Sequence, residues 1–374
     1  MMAEDSPLKK IGRAIYSYLS QHPHEMTYFQ RGDLPPEKWR SGVRDFLARF
    51  LNFNPPKVPL RPRILKKERR GNLVVEHIDF AACAAYRVPA YFLYPASAAR
   101  PLPAVIALHD HGEMFLFGKE KLVSEPSEPQ VVTDYRAKRY DGAAWAEKLA
   151  ERGYAVLVPD ALGWGERRFH IAEGQQSVAD EETENAAAAR CFDKCCTLAG
   201  TSWLGIIAFD DRRCIDYLQS RKGVDSRNIG CCGFCFGAYR AAYLAALDER
   251  VRCSCMAGWM MPLRSLLLTM DAKRSLPPCA PGLYRYLDHP DVISLAAPNA
   301  VFIQHCEQGG KVSKTEAKGV CDYLAKIWED QHARAKFQWK SYEAPLRFTT
   351  GMQNDAFAFL DLHLKQPRAP MLPP

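Results

Sequence analysis

The sequence predicts an α/β protein with a mostly parallel, twisted sheet flanked by helices. Short apolar runs typical of buried strands recur along the chain, and longer segments with helical periodicity separate them. The 374 residues, of which 47% are hydrophobic and 25% charged, have the composition of an ordinary globular protein. Because parallel strands need crossover connections, the alternation of strands and helices indicates a parallel sheet.

Residues 1–62 are predicted to form a helical N-terminal extension. The segments GRAIYSYLSQ and PPEKWRSGVRDFLARFL have helical character, and the proline-rich NFNPPKVPLRPR that follows is typical of a linker or an extended arm. Residues 63–374 are then predicted to form the main domain.

The main domain is predicted to begin with a meander of two strands and to continue with alternating helices and strands. The predicted strands are LVVEHIDF, RVPAYFLYP, LPAVIALHDHG, YAVLVPDALG, NIGCCGF, VRCSCMAGW, NAVFIQHCE and KFQWKSYEA. The predicted helices are DGAAWAEKLAERG, TSWLGIIAFDDRRCIDYLQSR, AYRAAYLAALDER, a helix around 313–330 and MQNDAFAFLDLHLKQ.

Two long connections, 112–140 and 163–200, interrupt this order. Connections of this length are usually functional or else disordered, and the acidic, alanine-rich ADEETENAAAARC predicts that 163–200 forms a helical cap.

Composition and charge argue against several function classes. The 13 cysteines are an odd number in largely apolar surroundings, so we expect reduced, buried thiols, with no metal site and no cofactor. The net charge of +7 is modest, and the densest basic segment, LKKERRGN, is predicted to be a solvated turn, so no nucleic-acid partner is expected. The chain has no apolar run of membrane-spanning length, and its N-terminus lacks the features of a signal peptide. A cytoplasmic protein without a membrane partner is expected, and a homodimer is kept open.

One short motif contains a candidate catalytic nucleophile. Residues 233–237, Gly-Phe-Cys-Phe-Gly, have the G-x-nucleophile-x-G form of a nucleophile elbow, and they stand between a predicted strand and a predicted helix. The helix that follows would direct the positive end of its dipole at Cys235 and favour a thiolate. The alternative is that Cys235 is one more buried cysteine in a cysteine-rich chain.

From about residue 40 to the C-terminus, the chain resembles α/β-hydrolases of the dienelactone hydrolase and acetyl-xylan-esterase-like branch. The segments that carry the resemblance are ALHDHGEMFLFGKEK, PDALGWGERR, DDRRCIDYLQSRKGVDSRNIGCCGFCFGAYRAAYLAALDERV, FIQHCEQ and MQNDAFAFLDLHL. The resemblance implies the α/β-hydrolase fold. Dienelactone hydrolases similarly have a cysteine at the elbow, so a cysteine nucleophile is expected here.

The resemblance also implies an oxyanion hole. Its donors would be the backbone amide of Phe236 and one amide from the loop of His111, Gly112 and Glu113. Trp164 and other aromatic residues near the predicted mouth indicate a largely apolar pocket for an acyl substrate, with ordinary core packing as the alternative for each of them.

The remaining members of a catalytic triad are missing from their expected places. The family's aspartate would stand just beyond FIQHCEQ, where this sequence has Gly309-Gly310, and its histidine would stand at Leu346. Arg347 follows that vacated position, and a fixed guanidinium there could bind a carboxylate or a phosphopantetheine-like anion. His111 is the best-placed surrogate base, with a structural role in the oxyanion loop as the alternative. Glu307 could take the acid role.

Three hypotheses follow. The first is an enzyme that acts through Cys235 on a small ester, thioester, lactone or polyketide-like substrate, free or carrier-bound. Because cysteine is a strong nucleophile even without a base, stable or transferable acyl-thioesters are expected in place of fast hydrolysis. The second hypothesis is a pseudo-hydrolase kept for ligand or partner binding. The third is non-hydrolytic chemistry, such as a lyase or cyclase step, in the same pocket.

Overall fold

In the computed structural model, the described residues are 6–22, 24–97, 101–171, 174, 177–259, 262–268, 278–308 and 312–365. The strands are β1 (Arg63–Arg70), β2 (Leu73–Ala81), β3 (Arg87–Pro95), β4 (Leu102–Leu108), β5 (Ala155–Pro159), β6 (Val224–Phe234), β7 (Val251–Ala257), β8 (Ala300–Cys306) and β9 (Phe337–Tyr342). The helices are α1 (Pro7–Leu19), α2 (Pro36–Phe50), α3 (Gln130–Tyr140), α4 (Trp145–Glu151), α5 (Val178–Leu198), α6 (Trp203–Ser220), α7 (Phe236–Leu247), α8 (Leu263–Leu268), α9 (His289–Ser294), α10 (Lys314–Asp330) and α11 (Thr350–Leu364).

The described strands form a sheet in the order β1-β2-β3-β5-β4-β6-β7-β8-β9. The pairs β1/β2, β2/β3 and β3/β5 are antiparallel, whereas β5, β4, β6, β7, β8 and β9 run parallel to one another. The predicted fold class is therefore confirmed, and each strand predicted from the sequence is present. Because β4 and β6 are neighbours in the parallel part, the loops that follow them meet at the same edge of the sheet.

Both faces of the sheet are covered by helices, as a buried parallel sheet requires. On one face, aromatic and aliphatic side chains of α2, α6, α7 and α10 form an apolar cluster. On the other face, α4 and α11 cover a second cluster. Each central strand is buried on both faces, which explains why these strands are continuous apolar runs in the sequence.

The basic segment around residues 65–72 corrects one expectation. It is not a solvated turn but most of β1, an exposed edge strand whose partner is β2. Basic side chains on an edge strand hinder pairing with another sheet, which gives this cluster a role in the fold. The strand was missed in the sequence because its charged residues do not alternate with apolar ones, as they would in a half-buried strand.

The N-terminal helices pack on the main sheet domain through α2, whose Trp39, Val43 and Leu47 are buried in the core. The connection 163–200 contains α5, the helix expected there. Whether residues 1–62 form a separate unit, and whether α5 acts as a cap, remain predictions. Among the described helices, none is both long and apolar enough to cross a membrane.

Candidate active site

Cys235 occupies the turn between β6 and α7. Its backbone has φ 52° and ψ −115°, a conformation that is rare for a residue with a side chain. Its amide donates a hydrogen bond of 2.8 Å to the carbonyl of Ala257, the last residue of β7. The strand-to-helix turn predicted for the elbow is therefore confirmed, and it holds a partly exposed thiol at the carboxyl edge of the sheet.

The two glycines of the motif are required by close backbone contacts. A Cβ atom on Gly233 would lie within 3.0 Å of the backbone of Gly237. A Cβ atom on Gly237 would lie equally close to the carbonyl oxygen of Leu108, at the end of β4. Because backbone atoms cannot move aside as a flexible side chain can, the turn fits only with glycine at both positions.

The loop after β4 brings the predicted oxyanion residues to the same edge of the sheet. Gly112 and Glu113 have φ values of 66° and 55°, so two consecutive residues are left-handed. Phe236 is the first residue of α7, where backbone amides have no partner inside the helix. These amides are placed at the ends of neighbouring strands, as an oxyanion hole requires, although their role remains a prediction.

His111 is buried among aromatic rings and is held in one tautomer. Its Nδ1 accepts a hydrogen bond of 3.0 Å from the amide of Glu113, so the neutral ring carries its proton on Nε2. Burial, and then the charge of Lys121, lower the pKa of His111 to about 4. A base role would require the ring to give up its bond to Glu113. This geometry favours His111 as a hydrogen-bond donor or loop support over the predicted surrogate base.

Trp164 supports the same loop through a side-chain hydrogen bond. Its indole Nε1–H donates a hydrogen bond of 3.2 Å to the carbonyl of His111. The ring is fully buried and stacks between Phe115 and Trp203, with centroid distances of 5.1 and 5.3 Å. Its predicted contribution to substrate binding is untested, whereas its contact with the loop is direct.

The position of the missing histidine is filled by an apolar side chain. Leu346 is partly buried and packs against the apolar cluster that also contacts Cys235. The neighbouring Arg347 donates a 2.8 Å hydrogen bond to the carbonyl of Ala137 and lies 3.1 Å from the carboxylate of Asp141. A substrate anion would have to compete with Asp141 for this guanidinium, and the predicted role of Arg347 remains a prediction.

The position expected for the aspartate has Glu307 just before it in the sequence. Gly309-Gly310 lies outside the described residues. Glu307, which follows β8, accepts hydrogen bonds of 2.8 Å from both Ser341 and Lys314. These two bonds, that of Lys314 first, lower the pKa of Glu307, so this carboxylate is charged and already engaged.

The structure reveals a buried cluster that sequence reasoning missed. The hydroxyls of Tyr135 and Tyr140 both donate hydrogen bonds to the carboxylate of Asp110. We call these three residues the Asp–Tyr cluster. Burial raises the pKa of both phenols well above the usual value, and the negative charge of Asp110 adds to this effect, with a smaller contribution from Cys235. The cluster therefore lies within electrostatic reach of the elbow thiol.

The Asp–Tyr cluster also contacts the candidate oxyanion loop. The hydroxyl of Tyr135 fills the space where a side chain of Gly112 would project. Lys121, fully buried, donates hydrogen bonds of 3.1 and 3.0 Å to the carbonyls of Asp110 and His111. The available sequence signal was an aspartate between two histidines. Nothing in the 112–140 connection indicated that its tyrosines would return to it.

A second buried network anchors the long 112–140 connection. The ammonium of Lys119 lies 2.6 Å from Glu120, 2.8 Å from Asp160 and 2.6 Å from Glu166. Three carboxylates so close together could hold a metal ion, but here the lysine ammonium fills the space among them. Burial lowers the pKa of Lys119, and the carboxylates outweigh it and hold that pKa well above its usual value.

His289, at the start of α9, is a further residue at this edge, and no motif in the sequence pointed to it. Its ring contacts Tyr239, in the first turns of α7, and Trp259, just after β7, with centroid distances of 5.3 and 5.8 Å. The two contacts bring a polar ring from a distant part of the chain toward the carboxyl ends of β6 and β7.

Cys232, which stands in C-x-x-C spacing before Cys235, is a packing group of β6. Cys232 is fully buried in β6, and its thiol hydrogen-bonds with that of Cys255 on β7. Burial raises the pKa of Cys255, so these strand thiols are protonated packing groups.

The mostly parallel sheet, the strained turn after β6 and the loop after β4 together define an α/β-hydrolase. The sequence profile of the Abhydrolase family matches residues 21–356, which is most of the chain, and the chain therefore belongs to that family. It is a hydrolase-like enzyme of the α/β-hydrolase superfamily. The resemblance recognised from the sequence is confirmed at this level.

Known proteins similar to this chain carry hydrolase and esterase names. "Putative hydrolase YtaP" of Bacillus subtilis (strain 168) is 26% identical over 260 residues, which cover 69% of this chain and 78% of that protein. A putative acetyl xylan esterase from Bacteroides fragilis NCTC 9343 has a TM-score of 0.70 at 18% identity, covering 92% of this chain and 85% of that one. A glucuronoyl esterase from Solibacter usitatus has a TM-score of 0.58 at 14% identity, covering 87% and 93%. At such identities, the structural likeness shows the fold.

Proposed function

We propose that the protein is an esterase-like enzyme that transfers the acyl group of an ester, thioester or lactone to Cys235. The observation that carries the proposal is the backbone of Cys235, which is left-handed in a turn that only glycines at 233 and 237 allow. Such a conformation costs about 1–3 kcal/mol, and a cysteine that only fills space does not need it. The names of the similar hydrolase and esterases support ester chemistry.

In the proposed reaction, the Sγ atom of Cys235 attacks the acyl carbonyl carbon, and the carbonyl oxygen becomes an oxyanion. The amides of Phe236 and of the Gly112–Glu113 turn are the candidate donors to that oxyanion. One well-placed donor stabilises such a charge by about 3–4 kcal/mol. Collapse of the intermediate breaks the bond from carbon to the leaving oxygen or sulfur. The leaving group takes up a proton, and the acyl group stays on Cys235 as a thioester.

The Asp–Tyr cluster is our candidate for moving the proton. The thiol proton passes to the oxygen of Tyr135 while the phenol proton passes to Asp110. The same two transfers in reverse deliver a proton to the leaving oxygen. Tyr135 is the favoured member because it lies directly against Gly112 of the candidate oxyanion loop. A phenol in this position replaces part of what a histidine does in a triad.

Removal of the acyl group is the step that the missing histidine affects most. Water needs a base to attack a thioester, and the position of that base holds Leu346. We therefore propose that thioester hydrolysis is slow and that a second nucleophile, such as an alcohol, an amine or a carrier thiol, takes the acyl group. Acyl transfer, cyclisation and chain cleavage all fit this scheme, with a free or carrier-bound acyl donor.

The test compares ester turnover by the wild-type protein and two cysteine variants. A panel of p-nitrophenyl esters of increasing acyl length is assayed with and without an added alcohol. Cys235→Ala is expected to abolish turnover, whereas Cys191→Ala, which removes an exposed thiol on α5, is expected to retain it. An added alcohol should raise the rate if acyl transfer limits turnover. Equal activity of both variants would contradict the proposal.

Leu346 favours a second candidate, a pseudo-hydrolase that binds a ligand without turning it over. An apolar side chain replaces the only polar group that could activate water at this position in the family pattern. In that case the wild-type protein would hydrolyse no ester of the panel. It would still bind an acyl compound with a dissociation constant that changes in the Cys235→Ala variant.

A further inference from the structure

A cationic groove lies at the end of the sheet opposite Cys235. Its volume is about 510 Å³, and its walls include the beginnings of β6 and β7 and the turn before β8. Since β7 runs from Val251 to Ala257, and Ala257 accepts the amide of Cys235, one strand length separates the groove from the elbow. At about 3.3 Å per residue, that length is roughly 20 Å. The groove is therefore not part of the candidate active site.

We call this cavity the basic groove, because six cationic side chains and one carboxylate line it. The cationic residues are Arg40, Arg44, Arg227, Arg250, Arg252 and Lys336. They come from α2, β6, the region around the start of β7 and the turn before β9, so distant parts of the chain converge on one place. The lone carboxylate is Glu249, whose side chain is 81% exposed and pairs with Arg44 at 3.2 Å.

Some of these charges are already balanced inside the protein. Arg250 forms ion pairs with Asp216 and Asp248, at 2.7 and 2.6 Å. Arg44 holds the carbonyls of Ala246 and Leu295 as well as Glu249, so it fastens α2 to the main domain. These two arginines give the groove a fixed wall.

Arg40 and Lys336 differ from these structural arginines. Arg40 donates a 2.8 Å hydrogen bond to the amide oxygen of Gln331, a neutral acceptor. Burial, and then the positive charge of Arg44, lower the pKa of Arg40. The side chain of Lys336 is exposed at the mouth. Arg40 and Arg44 lie four residues apart on α2, a spacing at which like charges destabilise a helix, and Glu249 pairs with Arg44.

We propose that the basic groove binds a small anion that carries phosphate groups. Its volume falls in the range of small-molecule sites and exceeds what a single phosphate fills. Guanidinium groups bind phosphate oxygens through paired hydrogen bonds, and several arginines in one groove suit an anion with more than one phosphate. The N-terminal extension, through Arg40, would then complete a binding site as well as cover the core.

The test titrates tripolyphosphate into the full-length protein by isothermal calorimetry at low ionic strength. The double variant Arg40→Gln/Lys336→Gln removes two charges from the groove. Because each lost hydrogen bond to a charged group weakens binding, we expect the double variant to have a dissociation constant about tenfold or more above that of the wild type. The matched control, Lys148→Gln/Lys318→Gln, removes two charges from exposed ion pairs elsewhere and should leave the dissociation constant within about twofold.

Other results of the same titrations would contradict the proposal. Equal weakening in both double variants would show attraction by overall charge and overturn the proposal, as would undetectable binding by the wild type. Binding of poly-glutamate as tight as that of tripolyphosphate would contradict phosphate selectivity. If the double variant fails to fold, Lys336→Gln alone, at an exposed side chain, should still weaken binding several-fold. Loss of ester turnover is not expected in any of these variants, so this test is independent of the proposed catalysis.

Discussion

The buried ammonium of Lys119 offers a quantitative test of how the long 112–140 connection is held. In Lys119→Met, the carboxylates of Glu120, Asp160 and Glu166 lose the cation that lies 2.6–2.8 Å from each of them. Asp160 is 1% exposed, so its charge cannot be compensated by water. Removing one partner from a buried ion pair typically costs 3–5 kcal/mol, and we expect a loss of about 4 kcal/mol near neutral pH.

The pH dependence of this loss has a defined sign. In the wild type, burial raises the pKa of Glu166, but the bonds to His77 and Lys119 outweigh it and lower the pKa to about 2. That carboxylate therefore contributes stability above its unfolded pKa, and the contribution is lost as the pH falls through the acid range. Asp160 behaves differently, because burial raises its pKa to about 6 even against the opposing charge of Lys119. In Lys119→Met that opposing charge is lost, so the folded protein should bind protons more tightly between about pH 5 and pH 7.5. The difference in the free energy of unfolding between the wild type and Lys119→Met should be largest near neutral pH and should become smaller toward about pH 5.

The assay is urea unfolding followed by circular dichroism, at about pH 7.5 and about pH 5. The control is Lys318→Met, which removes an exposed lysine paired with Asp322 and should change the free energy of unfolding by less than about 0.5 kcal/mol. This description of the network would be refuted if Lys119→Met lost less than about 1 kcal/mol of its free energy of unfolding. It would also be refuted if the difference in that free energy between the two proteins grew at the lower pH.

Two further predictions concern the edge that carries the elbow. Gly237→Ala places a Cβ atom against the carbonyl of Leu108, so it should lower the free energy of unfolding by more than about 2 kcal/mol and abolish ester turnover; a fully active, equally stable variant would contradict the tight turn. The pKa of His111 is lowered to about 4, so the unfolded chain binds a proton that the folded protein does not, and stability falls as the pH drops from about 6.5 toward 4. Between about pH 7 and 4.5, urea unfolding should show the wild type losing about 2–3 kcal/mol more than His111→Gln; equal losses would show that the ring is protonated when folded.

The fold could be predicted from the sequence because its main signals are local. Apolar runs identify the central strands, and glycines at 233 and 237 identify a turn too tight for any Cβ atom. The edge strand β1 escaped this reasoning since its side chains are mostly exposed and its charges resemble those of a turn. A strand is continuously apolar only where neighbouring layers cover it, and most side chains of β1 lie in solvent.

The Asp–Tyr cluster could not be predicted because its members are distant in the sequence and carry no motif. Tyr135 and Tyr140 reach Asp110 only after the 112–140 connection folds back over the loop that follows β4. The tautomer of His111 is likewise set by a backbone amide, that of Glu113, which no pattern of side chains encodes. Local motifs therefore located the elbow, while the polar groups around it depend on tertiary structure.

The most direct test of the central claim is to trap the acyl group on the protein. The wild type, Cys235→Ala and Cys191→Ala are each mixed with p-nitrophenyl acetate, quenched in acid and examined by intact mass and by peptide mapping. Our account predicts an acetyl thioester on the peptide that contains Cys235 in the wild type and in Cys191→Ala, and none in Cys235→Ala. Acetylation that is spread over the exposed cysteines, or that persists in Cys235→Ala, would contradict a nucleophilic role for Cys235.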